Sequence, residues 1–170
     1  ALRPRGPFGL GSRGRRPRGR LLLCAPAAVH ALAQEATRRG QIFSVLIKVD
    51  CGYHRAGLLP DDANLIPLAR AIHNSEHLTF EGLLTHGGHS YDCVGVEAIR
   101  QVAEQERSMI VDAAERLRTE NLPVRTISVG STPTMSVVED LTGVTEIRPG
   151  NYALFDQFQA DIGSCSPSDI

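Results

Sequence analysis

Apolar and polar positions in this chain follow two alternating rhythms. Short segments rich in β-branched and aliphatic residues recur at Leu21–Cys24, Phe43–Asp50, Leu78–His86, Arg125–Val129 and Thr145–Arg148. The unbroken run Val45-Leu46-Ile47 marks the second of these as a buried strand. Between them the apolar spacing changes to three and four. A helix is predicted from about Ala27 to Arg39, closed by Gly40. A second, opened by Pro60 and Asp61 and running to about Asn74, puts Leu65, Leu68, Ala69 and Ile72 on one face. A long helix from about Val94 to Glu120 carries the stripe Ile99, Val102, Ile110, Ala113 and Leu117, and a short one covers Thr134–Leu141. Strands that alternate with helices in this way are parallel strands with crossover helices, an α/β class. The chain has 170 residues, short of the roughly 250 of a closed (β/α)8 TIM-type barrel, so a partial barrel is expected over residues 21–162.

Charge adds a boundary to this picture. Residues 1–20 hold seven of the 18 basic residues and no acid, leaving 11 basic against 19 acidic groups, a balance of −8, over residues 21–170. The folded part is therefore mildly acidic, which argues against nucleic acid as its natural partner. Arg, Gly or Pro fills 15 of the first 20 positions, a composition expected to stay disordered. A transit peptide and an arm that binds polyanions are the competing readings of that segment. No stretch reaches the ~20 apolar residues of a membrane span. Four irregularly spaced cysteines give no disulfide framework, so a reducing, cytoplasmic setting is the default.

Candidate chemistry lies where a parallel barrel keeps it, at the carboxyl ends of the strands. Those ends read Asp50-Cys51-Gly52-Tyr53-His54-Arg55, Thr85-His86-Gly87-Gly88-His89-Ser90-Tyr91, Gly130-Ser131-Thr132-Pro133-Thr134 and Arg148-Pro149-Gly150-Asn151-Tyr152. Gly130-Ser131-Thr132 leads into a helix, where amides and hydroxyls suit an anion, and Pro149-Gly150-Asn151 repeats the opportunity one strand later. Two such turns on consecutive strands describe a phosphate cup. Lys48, the sole lysine, stands on a strand that reads as buried, a natural candidate for a Schiff base with pyridoxal phosphate (PLP). The spacing of His86, His89 and Cys93 has metal-ligand flavour, but no second cluster completes a tetrahedral site, so no metal is assigned within this chain.

Taken together, Ile47–Gly57, Thr85–Asp92, Gly130–Thr134 and Glu146–Tyr152 resemble the D-serine dehydratase and D-threonine aldolase group, which is similar in turn to the N-terminal barrel of alanine racemase. The resemblance covers about residues 21–170 and implies an alanine-racemase-type barrel that binds PLP and acts on D-amino acids. Carried over, it makes Thr132 and the backbone of Gly150 and Asn151 the phosphate contacts. It sets His86 against the pyridine ring, Tyr91 in the loop over the cofactor, Arg55 pointing into the site and Arg148 near the pyridine nitrogen.

The family's Schiff-base lysine belongs to an opening strand, which this sequence is expected to lack, and Lys48 matches a different, structural lysine. Residues 163–170 correspond to the start of a C-terminal β-domain that in the complete enzyme holds a divalent metal, usually zinc. The expected parent function is dehydration of D-serine to pyruvate and ammonia, or the aldolase variant, in an enzyme whose site a homodimer often completes. The chain itself is expected to have little or no catalysis, with no catalytic residue assigned. A racemase or a non-catalytic PLP-carrier barrel are the rivals on the same scaffold, and an inactive fragment with a polyanion-binding arm is the rival off it.

Overall fold

The computed structural model describes residues 19–151 and 154–170. Apart from Gly19 and Arg20, the segment expected to be disordered lies outside them, as does Tyr152. Five strands, β1 (Leu21–Leu23), β2 (Phe43–Lys48), β3 (Leu78–Leu84), β4 (Thr126–Val129) and β5 (Glu146–Ile147), form one sheet in the order β1-β2-β3-β4-β5. Every neighbouring pair is parallel. Helices α1 (Pro26–Arg38), α2 (Leu65–His73), α3 (Val96–Thr119) and α4 (Thr132–Val137) make the crossovers, and α5 (Gln157–Asp161) follows the last strand. A parallel sheet in strict chain order, with a helix between each pair of strands, is a sector of barrel wall.

Period-two alternation sorts the strands' two faces. Val45, Ile47, Leu83, Ile127 and Val129 face Leu65, Leu68, Ala69 and Ile72 of α2 and Ile110, Ala113 and Leu117 of α3 in one buried layer. Each fully buried aliphatic side chain there stabilises the fold by about 1.5–3 kcal/mol. The opposite face mixes the buried Leu46 and Leu84 with polar groups. The Ser44 hydroxyl donates to Glu81 at 3.4 Å, and Ser128 donates to Glu146 at 2.6 Å. Opposite Val45 and Leu46, Glu81 is an extra residue in β3, a bulge, and Gly82 takes up the resulting backbone approach. Its φ is +144°, and a Cβ there would lie 2.0 Å from the Thr126 carbonyl oxygen.

Helix boundaries differ from the pattern-based expectation at both ends of α4, which stops at Val137 rather than Leu141 as Val138 turns extended, and at the start of α2. α2 begins at Leu65 rather than Pro60, because Asp62 Oδ1 accepts the Asn64 N–H at 2.7 Å and holds the preceding residues in a turn. α4 begins at Thr132 rather than Thr134. The Ser131 hydroxyl accepts the Thr134 N–H while the Thr134 hydroxyl accepts the Ser131 N–H, a reciprocal cap that starts the helix early. Among elements the pattern did not announce are α5 and two 3-10 turns, Gly88–Asp92 and Pro167–Asp169.

Candidate functional site

Beyond β2 the chain wraps around a carboxylate. Asp50 Oδ1 accepts the N–H groups of Gly52 and His54, each at 3.0 Å, and Oδ2 lies 3.3 Å from His54 Nδ1. Burial alone would raise this carboxyl, yet those amides and the imidazole hold it below the usual carboxylate value. The turn presents Tyr53, whose ring lies 6.0 Å edge-on from His86 and 6.5 Å from His89, with the Arg55 guanidinium 4.9 Å from its centroid. His86 lies 6.4 Å from Tyr91, which stacks on Phe158 at 6.1 Å. Arg55, His86 and Tyr91 thus share one aromatic wall, with Tyr53 as its unforeseen member.

The His86 ring has a fixed tautomer. Its Nδ1 lies 2.8 Å from the Gly130 carbonyl, which only accepts, so Nδ1 carries the proton and Nε2 keeps its lone pair. Half-burial pushes the imidazole below its ordinary range; the Gly130 carbonyl opposes this, and Arg55, Lys48 and Arg148 reinforce it. At neutral pH the ring is uncharged. Lys48 is likewise depressed, first by burial and then by Arg55 and Arg148, with Asp50 acting in the opposite sense. Three cations therefore act electrostatically on one neutral imidazole.

Arg148 reaches back across the sheet. Its Nε donates to Ser128 Oγ at 2.7 Å and its Nη2 to the Thr85 carbonyl at 2.5 Å. It adjoins His86 through Thr85 and the next turn through Pro149. That turn closes on Thr132, whose Oγ1 accepts the Asn151 N–H at 2.8 Å. Among the described residues, a Cβ on Gly150 would come within 4 Å of Thr132 Oγ1 alone, at 3.5 Å. Thr132, Ser136 and Asn151 line a cleft of about 180 Å³ together with the apolar Met135, Ile147, Pro149 and Phe155. The Thr132 hydroxyl, having accepted from Asn151, retains a proton to donate.

The phosphate cup expected from Gly130-Ser131-Thr132 is only partly present. The Gly130 N–H donates inward to Glu106 Oε1 at 3.1 Å, and the Ser131 N–H is taken by Thr134 Oγ1 at 3.0 Å. Ser131 Oγ is engaged by Ser90 at 2.8 Å and Thr134 at 2.9 Å. Of that turn, the Thr132 side chain is the group that lines the cleft. Glu106 itself was missed. It continues the apolar stripe of α3 between Ala103 and Ile110 and is fully buried, where burial raises its carboxyl and the amides of Gly130 and Gly87 oppose the rise. The one signal in the sequence was its stripe position.

Other candidates fall away from the site. Burial pushes the Cys51 thiol up to about 12, which leaves it inert. His89 and Cys93 meet through the Cys93 Sγ and the His89 carbonyl at 3.6 Å, and among the described residues no group of three His, Cys, Asp or Glu side chains converges as a metal site.

Comparison with known proteins sets this geometry in a family. The model for the alanine racemase N-terminal domain matches residues 15–157. D-threo-3-hydroxyaspartate dehydratase of Delftia sp. (strain HT23) is 40% identical over 152 residues, 89% of this chain and 40% of that protein. Its structure superposes with a TM-score of 0.84, as does that of a variant in a metal-free form. D-serine dehydratase of Dictyostelium discoideum is 39% identical over 135 residues, 75% of this chain and 34% of that protein. D-threonine aldolase of Filomicrobium marinum shares the fold, with a TM-score of 0.79 at 21% identity over 91% of this chain and 42% of that one. The chain thus spans 34–40% of the length of the curated relatives it matches. It belongs to the alanine racemase N-terminal domain family.

Proposed function

We propose that this chain is the cofactor-binding portion of a pyridoxal-phosphate-dependent lyase that removes the β-hydroxyl of a D-amino acid, of the D-serine or D-3-hydroxyaspartate class. The observation that carries this reading is the convergence at the strand ends. A cleft with a donating hydroxyl, Thr132, is bordered by Pro149, the neighbour of Arg148, and Arg148 together with Arg55 acts electrostatically on both Lys48 and the neutral His86. That donor set fits a phosphorylated pyridine, which needs anion contacts at one end and a flat, uncharged partner at the other.

Thr132 would donate a hydrogen bond from its hydroxyl to a phosphate oxygen, and Gly150, lacking a side chain, would let that oxygen approach the backbone. Arg148, Lys48 and Arg55 supply positive potential toward the dianion. His86, neutral and locked by Gly130, offers a flat face without competing charge beside the ring of Tyr91. Bound pyridoxal phosphate withdraws the electrons released at the substrate's α-carbon. Burial, Arg55 and Arg148 lower the proton affinity of Lys48 Nζ, and Asp50 opposes them.

The test is equilibrium dialysis of the full chain with pyridoxal phosphate, followed by borohydride reduction and peptide mapping. Saturable binding displaced by inorganic phosphate, with no stoichiometric pyridoxyl group on Lys48, is the expected result. Binding indifferent to phosphate would refute the cofactor site. A stoichiometric adduct on Lys48 would overturn its structural role and make it the covalent lysine.

A further inference from the structure

A single carboxylate ties together the two strand ends that the proposed site uses. Glu106 lies fully buried near the middle of α3. Its Oε1 accepts the Gly87 N–H at 2.6 Å and the Gly130 N–H at 3.1 Å, and its Oε2 accepts the Thr134 hydroxyl at 3.2 Å. Gly87 immediately follows His86 at the end of β3. Gly130 follows β4 and also supplies the carbonyl that fixes the His86 tautomer. Thr134 belongs to the cap that starts α4 and so sets Thr132. From Thr134 the network continues through Ser131 Oγ to Ser90 Oγ, back in the loop after β3.

A buried carboxylate is an expensive group unless its partners are fixed. Here every named partner is a backbone amide or a capping hydroxyl on an element that carries a candidate site residue. The packing leaves no slack, since a Cβ on Gly87 would lie 3.1 Å from the Glu106 carboxyl carbon. An apolar residue at this place would serve the helix stripe equally well but would leave the Gly87 and Gly130 amides unsatisfied.

We infer that Glu106 is a positioning residue for the phosphate end of the cofactor site: it clamps the ends of β3 and β4 at one spacing, so that Thr132 and His86 face the ligand already arranged. The inference rests on the proposed cofactor reading and extends it to a group that touches no ligand. Preorganisation of this kind acts on affinity by removing the ordering cost at the moment of binding.

The experiment compares Glu106→Leu and Glu106→Gln with the unmodified full chain, measuring dissociation constants for pyridoxal phosphate and for pyridoxal by equilibrium dialysis. The Leu variant fills the space but offers no acceptor. The Gln variant keeps an oxygen for both amides. The expected result is a loss of about tenfold or more for pyridoxal phosphate in Glu106→Leu, with pyridoxal changed less than about twofold and Glu106→Gln close to the unmodified chain. A merely structural carboxylate would weaken both ligands alike; that result, or an equal loss in Glu106→Gln, overturns the inference. Should Glu106→Leu fail to fold, Ser90→Ala breaks the far end of the same network, and the same preferential loss of pyridoxal phosphate is required of it. Amide exchange separates this inference from the cofactor reading. An unmodified chain that binds neither ligand sinks the cofactor reading, whereas Gly87 and Gly130 amides that exchange equally fast in the unmodified chain and Glu106→Leu sink the clamp.

Discussion

Replacing Arg148 by Met isolates what one guanidinium does for three strand ends. The substitution keeps most of the aliphatic stem and removes two hydrogen bonds, from Nε to Ser128 Oγ and from Nη2 to the Thr85 carbonyl. The losses are unequal. Ser128 still donates to Glu146 at 2.6 Å, but Thr85, which is fully buried, loses its side-chain donor. Hydrogen bonds to a charged group contribute about 1.5–3 kcal/mol each. The Arg148 side chain is 32% exposed, so solvent competition reduces the pair to about 2 kcal/mol in total. For a chain of this size that corresponds to a fall in Tm of about 4–8 °C. Urea unfolding of Arg148→Met and the unmodified protein, with unchanged m, measures the difference directly. Arg148→Lys, whose ammonium reaches one acceptor at a time, should fall between the two. A loss under about 0.5 kcal/mol in Arg148→Met, the range of an ordinary surface substitution, would refute the view that this residue fastens β3, β4 and β5.

Three further outcomes follow from separate features. Gly82→Ala sets a methyl 2.0 Å from the Thr126 carbonyl oxygen at a φ of +144°, so strain and overpacking together should destabilise the fold by about 3 kcal/mol, read as a lower urea midpoint. Cys51, with its thiol pushed up to about 12, should resist iodoacetamide at pH 8 in the folded chain while exposed Cys24 reacts; peptide mass spectrometry that finds equal labelling would count against its burial. Asp50 is lowered from its ordinary 3.8, so its contribution is complete above that value and is lost as pH falls through the folded one. Asp50→Asn should therefore lower Tm at pH 7, with the gap to the unmodified protein closing as pH falls below 3.8; a gap constant with pH would contradict the sign.

The sheet order was legible because apolar runs and helical stripes alternate cleanly, and each expected strand formed within a residue or two of its place. Boundaries failed where short polar side chains compete with the helix for backbone groups. Asp62 keeps Asn64 in a turn, and Ser131 pulls α4 forward by two residues. At the candidate site, residue types marked the strand ends but not the directions of their amides. Gly130-Ser131-Thr132 reads as an anion cradle, yet two of its N–H groups turn inward. Glu106 was the hardest to foresee, since a glutamate on a helix is ordinarily a solvated charge and its partners are glycine amides that leave no mark in composition.

A largely apolar helix face resting on a largely apolar sheet is mechanically slippery: Ile, Val and Ala at three- and four-residue intervals offer nearly equivalent seats one turn apart. On α3 the carboxylate removes that degeneracy. A slide of one turn would carry Glu106 about 5.4 Å along the axis, stranding a buried charge away from the Gly87 and Gly130 amides. The helix of 24 residues consequently has one longitudinal setting and one rotation, as a shaft is indexed by a single key.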